Sequence, residues 1–304
     1  MMEILTEMLS SPLMRRGLLA ALLVGTTAPV IGTYLVQRRL ALLGDGIGHV
    51  ALTGVALGWL GAAAAGAADR DAWAIPGAVL ASVVGAVLIE LVRRWGRTSG
   101  DVALALLFYG GIAGGVMLIG IAGGTAANLT AYLFGSIATV SAVDLAWMIA
   151  LAVVILVVGI GLRPALFSLS YDEDFARATG LPAGILNIAI AIVAALTVSV
   201  AMRVVGVLLV SAIMIVPVAI TQLVCRSFVG TMRAAMGVGA VVAVAGLVLT
   251  YIYPYSPGAT IVLLAIGLYT VVSAIRPLLI RRLPHHKHEE EANAEIGGHA
   301  PCNA

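Results

Sequence analysis

Nine apolar runs, each long enough to cross a bilayer and separated by short polar breaks, fix the class of this chain. They are 17–37, 40–65, 74–92, 101–121, 143–162, 184–202, 204–224, 234–253 and 258–275, against about 20 residues for a spanning helix. In lipid every backbone polar group must be satisfied inside its own segment, so the runs predict helices. The expected fold class is an all-α polytopic membrane protein with about nine transmembrane helices. Charged residues are 11% of the 304 and apolar residues 61%, where soluble domains carry about 25% charged residues. The formal charge is only +2 and the arginines sit at run ends, which excludes a nucleic-acid-binding stripe.

The runs divide the chain into an N-terminal interfacial segment (1–16), a transmembrane domain (17–283) and a polar tail (284–304). The N-terminus, Glu3-Ile-Leu-Thr-Glu7, has no basic stretch before its apolar residues and does not read as a cleaved signal peptide. Orientation follows from the basic residues. With the 38–40 turn in the cytoplasm and strict alternation, only Arg15, Arg16, Arg70 and Arg203 of the 17 basic residues fall outside. The N-terminus is then external and the C-terminus internal. Cys225 and Cys302 both fall on the cytoplasmic side, so no disulfide framework is implied.

Within the second run, Asp45 and His49 are spaced i, i+4 and share one helix face. Ionisable groups in a membrane span are costly and mark function by default. A carboxylate and an imidazole are also divalent transition-metal ligands. Taken singly, Asp45 also suits a helix start, and His49 also suits a neutral ring bonded to a carbonyl. The fourth run carries Gly110-Gly111 and Gly114-Gly115, a spacing that lets helix backbones approach closely. Pro217 falls inside the seventh run and removes a backbone donor there. Tyr251, Tyr253 and Tyr255 form an interfacial aromatic anchor.

The longest polar break expected inside the cell runs from Arg163 to Pro182. Ser170 followed by Glu173 reads as a capping box, and Gly180 followed by Pro182 as a helix stop. A short helix over 171–179 is therefore expected, with Asp172 and Glu173 matched to its dipole. It suits docking to a cytoplasmic protein. The tail holds His285, His286, His288 and Glu289–Glu291; it cannot build a core, and disorder is expected. His285, His286 and His288 are possible metal ligands there.

These residues also carry a resemblance. Arg39-Leu-Ala-Leu-Leu-Gly-Asp45-Gly-Ile-Gly-His49, Tyr132 to Ser141 with Asp144, Tyr171-Asp-Glu-Asp-Phe-Ala-Arg-Ala-Thr-Gly180 and Val204 to Pro217 resemble the membrane permease subunit of bacterial ABC importers for zinc, manganese and related divalent metals. Gly46, Gly48 and Thr53 depart from the family's usual Ala, Ser and Pro. The resemblance implies a homodimeric permease in the cytoplasmic membrane, in contact with its lipids. It also implies separate cytosolic ABC ATPases and an extracytoplasmic metal-binding solute-binding protein. Asp45 and His49 become metal residues, carrying zinc first or manganese transiently, with no permanently bound cofactor. The 171–179 helix becomes the coupling helix, with Asp172, Glu173, Phe175, Ala176 and Gly180 as its ATPase-coupling residues.

No Gly-x-x-x-x-Gly-Lys-Ser/Thr stretch occurs, so ATP hydrolysis is not expected of this chain. Two other classes compete. A proton- or ion-coupled secondary transporter or channel needs no ATPase, but leaves the acidic cytoplasmic helix without a role. An intramembrane metallohydrolase needs a third ligand and a base, and His49 is the only histidine within the runs.

Overall fold

The computed structural model describes residues 10–95, 100–136, 140–253 and 255–280. Expectations for the 284–304 tail, including His285, His286 and His288, lie outside these residues, as does most of the 1–16 segment. The described residues are mostly helical. In order the helices are α1 (Pro12–Gln37), α2 (Leu43–Ala64), α3 (Ala74–Trp95), α4 (Gly100–Ile121), α5 (Ala126–Phe134) and α6 (Ala142–Gly161). There follow α7 (Arg163–Tyr171), α8 (Glu173–Ala178), α9 (Ala183–Ala201), α10 (Val210–Gln222), α11 (Phe228–Ile252) and α12 (Pro257–Ile280).

Local chemistry sets several of the boundaries. Pro12 opens α1 where a missing N–H costs nothing. This start lies ahead of Arg15 and Arg16, so both belong to the first helix and not to a segment before it. Thr125 with Asn128, and Ser141 with Asp144, form reciprocal capping boxes at α5 and α6. Ser227 caps α11 through the Gly230 N–H.

Eight of the described helices are long and apolar enough to cross a membrane. α1 and α9 are the most buried of these and α4 the least. The 204–224 run differs from expectation. Its regular helix begins only at Val210, after a 3-10 turn over Val207–Leu209. Residues 202–207 are buried, non-lipid-facing backbone, which membranes tolerate where protein surrounds it. Gly206 has φ +88°, and Gly135 has φ +78°. A side chain at Gly206 would overlap the Leu133 carbonyl, one at Gly135 the Val204 carbonyl, and one at Gly258 the Val205 carbonyl. Three glycines thus let three chain segments meet backbone to backbone around residues 204–206.

Loop contacts sort the helix ends into two groups. At one end Arg70 donates to the Ala122 carbonyl at 3.2 Å, the Ser136 N–H to the Arg203 carbonyl at 3.3 Å, and Ser256 to the Phe134 carbonyl at 2.9 Å. At the other end Arg38 meets Glu173 and Asn187, and the Phe228 ring lies between Tyr34 and Phe167, with centroids 5.4 and 4.9 Å away. The turns after α1, α6 and α10 therefore lie opposite those after α2, α4, α9 and α11, which matches the alternation expected from the basic residues for these described turns. The exposed rings of Tyr253 and Tyr255 stack at 5.9 Å on the Arg203 side.

Candidate metal site and coupling helix

α2 places Asp45 in its first turn and His49 one turn later. His49 is 2% exposed, and its Nδ1 has no hydrogen-bond partner. Its ring packs edge-on against Phe108 of α4, centroids 4.3 Å apart. A buried imidazole nitrogen left unpaired is costly, and a ligand there would relieve that cost. Asp45 is half-buried and accepts a hydrogen bond from the Ser211 hydroxyl of α10. Ser211 was not among the sequence candidates. Its only sequence signal is its place in the Val204–Pro217 stretch, 166 residues from Asp45.

Close helix packing builds the surroundings. A Cβ on Gly111 would sit 2.6 Å from the His49 carbonyl carbon, so α4 crosses α2 at the site itself. Thr53 fastens the crossing by donating to the Gly111 carbonyl at 2.8 Å. On the other side Gly48 leaves room for the Val207 carbonyl, 3.3 Å from where its Cβ would be. Gly48 therefore serves the approach of the irregular 204–209 segment. Gly110 and Gly120, by contrast, face open space.

Asp45 lines a cavity of about 270 Å³ with Leu42, Leu104, Ala105, Phe108 and Tyr109. Tyr109 and Leu42 are 69% and 66% exposed, so the carboxylate opens sideways onto an otherwise apolar helix face. No group of three or more His, Cys, Asp or Glu side chains converges among the described residues. One chain thus offers a carboxylate and an imidazole on adjacent turns, with a hydroxyl beside the carboxylate.

The segment expected to couple, 163–180, holds two helices. Ser170 lies inside α7 and donates to the Leu166 carbonyl at 2.6 Å, so it caps nothing. Tyr171 ends α7, and the expected 171–179 helix contracts to α8. Asp172 is its cap, accepting the Phe175 N–H at 2.9 Å. Gly180 ends the helix with φ +83°, and the Leu181 N–H closes onto the Ala176 carbonyl at 3.0 Å. Asp174 and Phe175 project into solvent, while Ala176 is fully buried. Glu173 turns inward to Arg38, which sequence reasoning had not singled out. Burial pulls the Arg38 guanidinium below its usual value, and the Glu173 carboxylate pushes it back up.

A second buried polar group lies at the opposite end. Arg203 bridges Asp144 at 3.0 and 3.1 Å and donates to the Tyr132 hydroxyl at 2.9 Å. Its guanidinium carbon lies 5.1 Å from the centre of that ring. Asp71 accepts from Trp59 at 3.0 Å and from Tyr132 at 3.4 Å. Arg203, read from the sequence as an external loop residue, is instead 3% exposed. Burial raises the Tyr132 phenol and keeps it protonated.

A helical bundle with eight membrane-length helices, an irregular buried segment over 202–209 and a carboxylate and an imidazole on adjacent turns of one of those helices suits a transport permease. The sequence profile of the ABC 3 transport family matches residues 10–276, and the chain belongs to that family. It is an ABC importer permease, a multi-pass protein of the bacterial cytoplasmic membrane. Among individual proteins it is 32% identical over 272 residues to the manganese transport system membrane protein MntC of Halalkalibacterium halodurans, covering 89% of this chain and 90% of the relative. It is 29% identical over 277 residues to the chelated iron transport system membrane protein YfeD of Yersinia pestis, covering 90% and 88%. A chain of PsaBC from Streptococcus pneumoniae in complex with Fab superposes with a TM-score of 0.78 at 27% identity, covering 89% of this chain and 94% of that one.

Proposed function

We propose that the protein is the membrane pathway of an ATP-driven importer for a divalent first-row transition metal, with Asp45 and His49 as transient ligands. The observation that carries this is the buried, unpaired His49 Nδ1 one turn from a carboxylate that opens onto a cavity. Two ligands from one chain fall short of the about four a tight site needs. A second copy on a two-fold axis would supply the same pair again. The sideways opening of Asp45 on an apolar face supports that arrangement, since a carboxylate facing lipid is costly. A site shared between two chains also suits conduction, which requires release as well as binding.

Manganese is the first candidate for the cargo and zinc the second. On the sequence alone zinc stands first, as the resemblance implies, and the imidazoles of His285, His286 and His288 favour it too. Two features now favour manganese: the oxygen-rich neighbourhood of Asp45 and Ser211, and the manganese named for the Halalkalibacterium relative. Separate cytosolic ATPases would dock on the exposed Asp174–Phe175 face of α8, and a metal-loaded solute-binding protein would deliver cargo at the Arg203 end. The test is uptake by proteoliposomes holding permease and ATPase, with manganese as cargo and zinc as competitor. Uptake that requires ATP and is saturable in manganese supports the reading; uptake driven by a proton gradient without ATPase contradicts it.

A further inference from the structure

A connected polar cluster not absorbed by the metal site lies where α8 meets the rest of the bundle. Arg38 follows the last residue of α1 and its side chain is only 8% exposed. One of its nitrogens donates to the Glu173 carboxylate at 3.0 Å and another to the Asn187 side-chain carbonyl at 2.7 Å. Asn187, on α9, donates back to the second Glu173 oxygen at 3.1 Å. The triangle is closed, and it joins three separate segments. Arg177 approaches the same carboxylate from the solvent side at 2.5 Å, but it is 61% exposed. That outer pair is therefore worth little beside the inner one.

Three further facts give the cluster a mechanical meaning. Arg39, the next residue, has φ +58°, a left-handed conformation rare for a residue with a long side chain. The short turn beyond it leads into α2, and Asp45 lies in the first turn of that helix. The bond from Glu173 to Arg38 therefore ends a few residues from the metal carboxylate, across a strained turn. Finally, a polar cavity of about 370 Å³ adjoins the cluster, lined by Glu90, Arg93, Glu173, Arg177, Gly184 and Asn187. Glu90, on α3 and bonded to Arg93 at 3.2 Å, adds a second carboxylate beside the same space.

We propose that Glu173, Arg38 and Asn187 form a clasp that carries movement of α8 to the N-terminus of α2, and so to Asp45. The inference rests on the importer reading. It assigns Glu173 a transmitting role, distinct from the docking face of Asp174 and Phe175. The adjoining cavity gives the Glu173 side of the clasp, with Asn187, room for a second arrangement, as a two-state coupling element requires.

The test uses the complete importer of permease, ATPase and metal-loaded solute-binding protein in proteoliposomes. The double variant Arg38→Met/Glu173→Leu removes both charges together, so neither is left buried and unpaired. ATPase binding and ATP hydrolysis are expected to persist, while manganese uptake per ATP hydrolysed falls by at least about fivefold, the low end of measured coupling. If the double variant does not insert, Glu173→Gln keeps a hydrogen-bonding partner for Arg38 without the charge, and uptake per ATP is expected to fall with it too. A merely structural role would lower binding, hydrolysis and uptake together and leave their ratio at the wild-type value; that result overturns the clasp alone. Wild-type permease that recruits no ATPase overturns the importer reading, and the clasp with it.

Discussion

Arg203 and Asp144 face each other at 3.0 Å with side chains 2% and 3% exposed. Removing one partner of a buried pair leaves an uncompensated charge, which costs about 3–5 kcal/mol. Arg203→Ala and Asp144→Ala are each expected to lower the unfolding midpoint of the detergent-solubilised permease strongly. The double variant Arg203→Met/Asp144→Leu is expected to recover much of the loss. A double-mutant cycle on thermal unfolding checks this, and additive losses would contradict it.

Ser211 holds the Asp45 carboxylate from a different helix. Groups that orient a metal ligand typically cost about 10–100-fold in affinity when removed. Ser211→Ala is expected to weaken manganese binding to that degree, and Ser211→Thr, which keeps a hydroxyl, to retain most of it. Titration of the purified permease with manganese measures both. Equal affinities for the alanine and threonine variants would remove Ser211 from the site.

Gly206 has φ +88° and ψ 153°, a region in which residues with a Cβ are strained by about 1–3 kcal/mol. Gly206→Ala adds an overlap with the Leu133 carbonyl. Loss of stability and of transport together is expected, whereas Gly237→Ala, which meets nothing within 4 Å, is expected to change neither. Thermal unfolding and uptake of the two variants side by side decide it.

Phe175 is 60% exposed on α8, beside a fully buried Ala176. Phe175→Ala is expected to reduce ATPase recruitment without reducing stability. Ala176→Leu is expected to overpack the core at a cost of about 1–3 kcal/mol. Pull-down of the ATPase and unfolding in detergent separate the two effects.

Hydropathy made the long helices legible because a lipid-spanning helix must be apolar along its length. It misjudged 204–224 for the same reason: Val204, Val205 and Val207 are apolar whether they face lipid or protein. The signal for the irregular backbone was Gly206, whose meaning depends on Gly135 and Gly258, both distant in sequence. Asp45 and His49 were visible as a pair because one helix carries both. Ser211 and Arg38 were not, since each matters through a partner on another segment. At α8 two capping residues competed, and Ser170 lost to Asp172 because its hydroxyl bonded back along α7.

In the proposed function, metal passes through Asp45 and His49. The most direct test is the initial rate of radiolabelled manganese uptake into proteoliposomes holding the ATPase and either wild-type permease, Asp45→Asn or His49→Ala. Both variants are expected to insert, bind the ATPase and lose manganese uptake. Wild-type uptake by either variant would contradict the account.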